Sequence, residues 1–106
     1  MEENKVFLMV KWQVQPGQEE VVSRALQQLV AHSRTELGCL YYQPHVSTEQ
    51  LDLIYLYEVY ASPAAATAHR ETEYFQQIVL GTIVPLLLSR EVVAVSPLAE
   101  VVNSRF

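Results

Sequence analysis

One cysteine, Cys39, is all that this chain of 106 residues carries. A lone thiol makes no internal disulfide and no cysteine-based metal site. Basic residues are scarce as well: seven lysines and arginines stand against twelve acidic residues, a formal net charge of −5. They are scattered, with no run able to track phosphates, so neither nucleic acid nor an anionic membrane surface is expected as the main partner. No apolar run approaches the roughly 20 residues that a membrane-spanning helix needs. The opening MEENKVFLMVKW puts acidic side chains ahead of its apolar run, the reverse of a secretory signal. A cytoplasmic protein is expected. His32 and His45 fall into no spacing with carboxylates that suggests a metal site, and no metal is expected. No serine stands in a nucleophile-elbow context, which removes Ser-His-Asp catalysis.

What the chain does hold is apolar. Half of its residues are hydrophobic and 18% are charged, so it is globular, and its length gives one domain, residues 1–106 with a tail at 98–106. Residues 6–14 alternate, with Val6, Leu8, Val10, Trp12 and Val14 on one face and Phe7, Met9, Lys11 and Gln13 on the other: a strand, ended by Pro16-Gly17. Residues 18–37 follow as a helix whose stripe includes Val22, Leu26, Leu29, Val30, Ser33 and Leu37. Gly38 is expected as its left-handed end.

A second strand at 39–46 carries Pro44, which suggests a sheet edge, and a polar turn at 47–50 leads to a third strand at 52–60. Ser62-Pro63 is a helix start, serine as cap and proline in the first turn. The alanine-rich helix is expected to reach His69, with a second piece at 74–80, a break at Gly81, a short turn around Pro85 and a last strand at 90–96.

The order β-α-β-β-α-β is that of a ferredoxin-like α+β fold, a four-stranded antiparallel sheet with helices on one face. Two helices cover one face only. Yet the third strand is apolar on both, with Leu53, Tyr55, Tyr57 and Val59 opposite Ile54, Leu56 and Tyr60. An apolar second face is an association patch. A homodimer formed sheet to sheet is expected, with Leu98, Val101, Val102 and Phe106 of the tail crossing to the partner.

Three blocks carry a family likeness: VKWQVQPGQEE at 10–20, ELGCLYY at 36–42, and LYEVYASPAAATAH at 56–69 with TEYF at 72–75. In this order and spacing the chain resembles the antibiotic biosynthesis monooxygenase family, quinol monooxygenases among them, over residues 6–95. The resemblance implies a dimeric α/β barrel and a pocket between helices and sheet. It also implies oxygenation of quinols, anthrones or similar electron-rich aromatics by O2 without flavin or metal, so no cofactor is expected. Haem-degrading relatives use an asparagine, a tryptophan and a haem-ligating histidine where this chain has Val10, His69 and Ile78. Haem chemistry is therefore not expected.

His69 is the leading catalytic candidate. Histidine as a class exchanges protons near neutral pH and can take a phenolic proton. The alternative is a histidine that only hydrogen-bonds the helix end. Glu58 lies mid-strand on an apolar face and must be paired, hydrogen-bonded or shifted in pKa. It is either a base or a buried structural carboxylate. Trp12, Tyr41, Tyr57, Tyr74 and Phe75 are candidates for an aromatic pocket lining, or for plain core. Trp12 and Tyr57 are the preferred pair, on the expectation that both lie under the helices. Two other functions compete with oxygenation. One is a non-catalytic small-molecule-binding or stress-response protein. The other is an isomerase or lyase using His69 and Glu58 as an acid–base pair.

Overall fold

The computed structural model of the chain describes residues 4–98. Strands β1 (Val6–Val14), β2 (Cys39–Val46), β3 (Leu53–Tyr60) and β4 (Leu87–Val95) form one antiparallel sheet in the order β2-β3-β1-β4. Helices α1 (Glu19–Ser33) and α2 (Pro63–Arg70) lie on one face, followed by a π-helical segment, Phe75–Ile83, and a 3-10 turn, Val84–Leu86. This is the expected ferredoxin-like arrangement. Pro44 does sit on an edge strand, where its missing N–H costs no ladder bond. Of the tail residues expected to reach a partner, Leu98 is fully exposed, and Val101, Val102 and Phe106 lie outside the described residues.

Side-chain alternation decides which face is core. Val10, Trp12 and Val14 of β1 are buried beneath the helices, beside Ile54 and Leu56 of β3 and Tyr42 of β2. The register sets Trp12 against Ile54, Val10 against Leu56 and Leu8 against Glu58. The opposite face is open and apolar, with Met9, Tyr41, Tyr55 and Val93 all substantially exposed. Tyr57 belongs to that open face, where it pairs across from Met9 and packs edge-on against Tyr41 at 5.6 Å. The expectation that Tyr57 joins Trp12 under the helices is therefore corrected: their positions differ by an odd number of steps in register, which puts them on opposite faces.

A bulge between Cys39 and Tyr41 lets Leu40 and Tyr41 both face outward and turns Tyr42 inward. Alternation alone would set Leu40 on the same face as Tyr42, and only the bulge separates them.

Helix α1 buries Val22, Leu26, Leu29 and Ser33, and the Ser33 hydroxyl donates to the Leu29 carbonyl at 2.7 Å. The helix stops there, shorter than expected, and Leu37 is exposed rather than part of the stripe. Gly38 is not a left-handed helix end either; among the described residues only Gly17, at φ 87°, has positive φ. What demands glycine at 38 is space. A Cβ there would stand 2.5 Å from the Cβ of Ala65, so glycine lets the loop after α1 lie directly on α2. The Ala61 N–H donates to the Gly38 carbonyl at 2.8 Å and fixes the same contact.

Ser62 caps α2 as expected, its Oγ accepting from the Ala65 N–H at 3.1 Å, with Pro63 at the first helical position. Gly81 does not break the next segment, which runs through it to Ile83. Its π-type turns bury Val79 and Ile83 against the core. Strand β4 starts at Leu87, three residues before the expected 90: Ser89 pairs with Gln13 and, past a bulge at Gln13/Val14, Leu87 pairs with Val14.

Candidate active site

Between the sheet and α2 lies a cavity of about 110 Å³. Leu8, Val10 and Trp12 of β1 and Val92 of β4 form its apolar floor, and Ala66, Phe75 and Val79 close it from the helical side. Four polar groups reach it from the other walls: Tyr42, Glu58, Tyr60 and His69. Arg70 and Arg90 stand at its edge, both with exposed side chains.

His69 is delivered by the last turn of α2 and is 2% exposed. Aromatic rings enclose it: Phe75 edge-on at 5.1 Å, Tyr60 at 5.3 Å and Tyr42 at 5.4 Å between centroids. Its Nδ1 is 3.0 Å from Oε2 of Glu36, in the loop between α1 and β2. In the neutral imidazole, a carboxylate that accepts from Nδ1–H leaves the lone pair on Nε2. Nε2 is buried and has no hydrogen-bond partner among the described residues. An unpaired buried polar atom is costly and rare outside functional sites. The same Glu36 oxygen accepts a hydrogen bond from the Tyr74 hydroxyl, and the Tyr74 ring stacks on His32 at 4.7 Å. Glu36 is thus held from two sides.

Glu58 is buried, and its Oε1 accepts from the Tyr60 hydroxyl at 2.6 Å. Burial pushes its pKa above the usual carboxylate range; the Tyr60 bond and the charges of His69 and Arg70 pull the other way without cancelling it. Burial, and then the neighbouring Glu58 carboxylate, raise the phenols of Tyr42 and Tyr60, so both stay protonated. Cys39 is pushed up to about 11, mainly by burial and then by Glu36, and remains a thiol at neutral pH.

Of the residues singled out by sequence, the fold gathers His69, Glu58, Trp12 and Phe75 around one cavity. Tyr74 stands behind it, on Glu36 rather than in the wall. Tyr41 and Tyr57 sit on the open sheet face, outside the cavity. Sequence reasoning missed Glu36, Tyr42, Tyr60 and the two arginines. Tyr60 was within reach, since it follows Glu58 by two residues and a strand repeats its facing with that period. Glu36 meets His69 across 33 residues, and no local pattern signals that meeting.

A wider groove of about 680 Å³ runs between α1 and the edge strand β2, lined by Leu26, Val30, Pro44, Val46 and Leu51 among others. The Arg34 guanidinium beside it is engaged by the Tyr42 carbonyl at 2.8 Å. The groove contains neither His69 nor Glu58, both of which line the smaller cavity. Among the described residues there is no cluster of side chains suited to a metal ion, and no helix is long and apolar enough to cross a membrane.

The sequence profile described as antibiotic biosynthesis monooxygenase matches residues 5–79, which include His69, Glu58 and Glu36. The chain belongs to the antibiotic biosynthesis monooxygenase family. Its fold is also that of several solved structures. PA3566 from Pseudomonas aeruginosa is 31% identical, with a TM-score of 0.85 over 93% of this chain and 99% of that one. An antibiotic biosynthesis monooxygenase structure from Bacteroides thetaiotaomicron is 22% identical, with a TM-score of 0.85 over 96% and 97% of the two chains. Rv0793 from Mycobacterium tuberculosis is 22% identical, with a TM-score of 0.83 over 92% and 98%. At 22% identity the last two establish the fold alone. No curated protein matches the sequence. In this member of the antibiotic biosynthesis monooxygenase family, the cavity presents a histidine held by a glutamate at one nitrogen and, among the described residues, unpaired at the other.

Proposed function

We propose that the protein is a monooxygenase that oxidises a quinol-like phenol with O2 and uses His69 as its base. The observation that carries this reading is the buried, unpartnered Nε2 of His69 in a cavity wall, its Nδ1 held by Glu36. A phenol entering the cavity offers Nε2 the hydrogen bond it lacks. Proton transfer to Nε2 leaves a phenolate beside an imidazolium, and Glu36 stabilises that cation. The phenolate is a strong enough reductant to pass one electron to O2. Recombination of the resulting radical pair forms a C–O bond on the ring. Proton return from His69 to the distal peroxide oxygen, with loss of the ring C–H proton, releases water. Hydroquinone and O2 thereby give a hydroxyquinone and H2O, and the quinol itself supplies both electrons that reduce the second oxygen atom.

The reading includes a homodimer. The open face carries Met9 at 52% exposure, Tyr41 at 47%, Tyr55 at 39% and Val93 at 47%. A second copy laid on that face would bury all four.

Oxygen uptake by the purified protein with hydroquinones, beside a His69→Ala variant, tests the reading. Uptake above autoxidation, lost in the variant, is the expected result. No uptake with any hydroquinone sinks it and favours the binding-protein alternative. Turnover without oxygen uptake points instead to the acid–base pair of His69 and Glu58, which share the cavity.

A further inference from the structure

The edge of the cavity carries charge that the proposed chemistry does not use. Arg70 closes α2 next to His69 in sequence, and Arg90 lies on β4 directly across from Trp12. The two residues come from opposite walls, helix and sheet, and line the same small space. Arg70 spends one N–H on Thr67 Oγ1 at 3.2 Å; neither arginine is in an ion pair among the described residues. Two of the chain's seven basic residues thus meet at one opening of a protein with net charge −5. In such a background an anionic ligand is repelled everywhere except at a local positive site, which focuses it. Burial works against the charged form of Glu58, which limits how far that carboxyl offsets the two arginines.

Size adds a second constraint. A dry apolar cavity of roughly 150 Å³ accommodates benzene. The cavity here, at about 110 Å³, is smaller than that and open at one side, so it takes at most one aromatic ring, with any substituent left at the mouth. It opens towards β4, where Val92 is 59% exposed, and this is the side on which Arg90 stands.

We infer that the substrate is a one-ring phenol bearing an anionic substituent: the ring enters the cavity with its hydroxyl on His69 Nε2, and the anion stays at the mouth between Arg70 and Arg90. The inference rests on the proposed reading of the site for the orientation of the ring, but not for oxygen chemistry. Guanidinium groups suit a carboxylate because their N–H donors match its two oxygens in pairs.

Calorimetric titration under nitrogen separates binding from turnover. The probes are 2,5-dihydroxybenzoate, its neutral isostere 2,5-dihydroxybenzamide and anthracene-9-carboxylate, each against the wild-type chain and the exposed double variant R70Q/R90Q. The carboxylate is expected to bind about tenfold more tightly than the amide, with the advantage shrinking as salt is raised. The double variant should lose that advantage and bind carboxylate and amide alike. Equal binding of carboxylate and amide overturns the inference, and so does an advantage that survives in R70Q/R90Q. Anthracene-9-carboxylate binding as tightly as the single ring overturns the one-ring part. Absence of heat with every probe overturns the whole. Oxygen uptake is then read separately. Selective binding of the carboxylate without uptake removes the oxygenase reading and leaves this inference standing; uptake with the amide equal to that with the carboxylate does the reverse.

Discussion

Glu36 and His69, 33 residues apart in sequence, meet with Oε2 3.0 Å from Nδ1, at a side chain that is 2% exposed on the histidine and 18% on the glutamate. The pairing fixes which histidine nitrogen carries the proton and therefore which is free to act. Glu36→Ala should lower kcat for oxygen uptake by about ten- to a hundredfold, within the range a positioned base contributes, and leave KM nearly unchanged. Glu36→Gln should lose less, because its amide oxygen still accepts from Nδ1–H. A purely structural role would change stability without that ordering of kcat. NMR gives an independent readout: a slowly exchanging His69 Nδ1–H resonance in the wild type, absent in Glu36→Ala.

Gly38 makes a prediction against the usual trend. Replacing a glycine whose φ is not positive commonly stabilises by about 0.4–1 kcal/mol through the unfolded chain. At Gly38 the added Cβ would lie 2.5 Å from Ala65 Cβ, and overpacking of this kind costs about 1–3 kcal/mol. The clash wins, and Gly38→Ala should lower Tm. Ala65→Gly removes the opposing methyl at a helix-propensity cost of about 1 kcal/mol. The double variant should therefore be more stable than the sum of the two single changes allows. Additive thermal shifts across the four proteins would refute the contact.

The contrast between these two sites says what a sequence can carry. Alternation grouped Val10 with Trp12 in β1 and Ile54 with Leu56 in β3, and Ser62-Pro63 marked the start of α2, because those signals act over a few residues; which face of β3 joins Trp12 needed the register. The bulge that turns Tyr42 inward and the close approach at Gly38 are tertiary facts. Glycine at 38 suited a helix end as well as it suited a tight contact, and only Ala65 on α2 decides between them. The site was half legible for the same reason. His69 and Glu58 are conspicuous as polar residues in apolar settings, whereas nothing local marks Glu36, in the loop after α1, as the partner of a histidine 33 residues away.

The open sheet face gives a test of assembly. Met9 and Tyr55 point away from the core, so Met9→Glu with Tyr55→Glu should leave the chain folded. Across a two-fold interface each new carboxylate would be brought up to a copy of itself or of the other. The wild type should scatter light as twice the chain mass and the variant as one chain, with unchanged far-ultraviolet circular dichroism. A wild type that is monomeric at micromolar concentration would remove the dimer from the proposed function.

Glu58 ties stability to pH. Its pKa in the folded protein is raised by burial, so ionising it costs more folded than unfolded. A raised folded pKa means that the stabilising contribution is complete below the unfolded pKa of about 4.3, fades as pH climbs through the folded value, and is absent above it. Glu58→Gln removes the titration and keeps an oxygen that accepts from Tyr60. The difference in Tm, variant minus wild type, should therefore grow as pH rises above about 4.3 and level off once pH passes the folded value. Each 1 kcal/mol of relief should appear as about 4–8 °C in a domain of this size. Tyr60→Phe should act in the opposite sense. It strips the ionised carboxylate of the hydroxyl bond measured at 2.6 Å, so its destabilisation should be greater at pH 8 than at pH 4. A Tm difference for Glu58→Gln that stays flat across this range would mean that Glu58 ionises as freely inside the protein as outside, and the buried-carboxyl account of the cavity would fall with it.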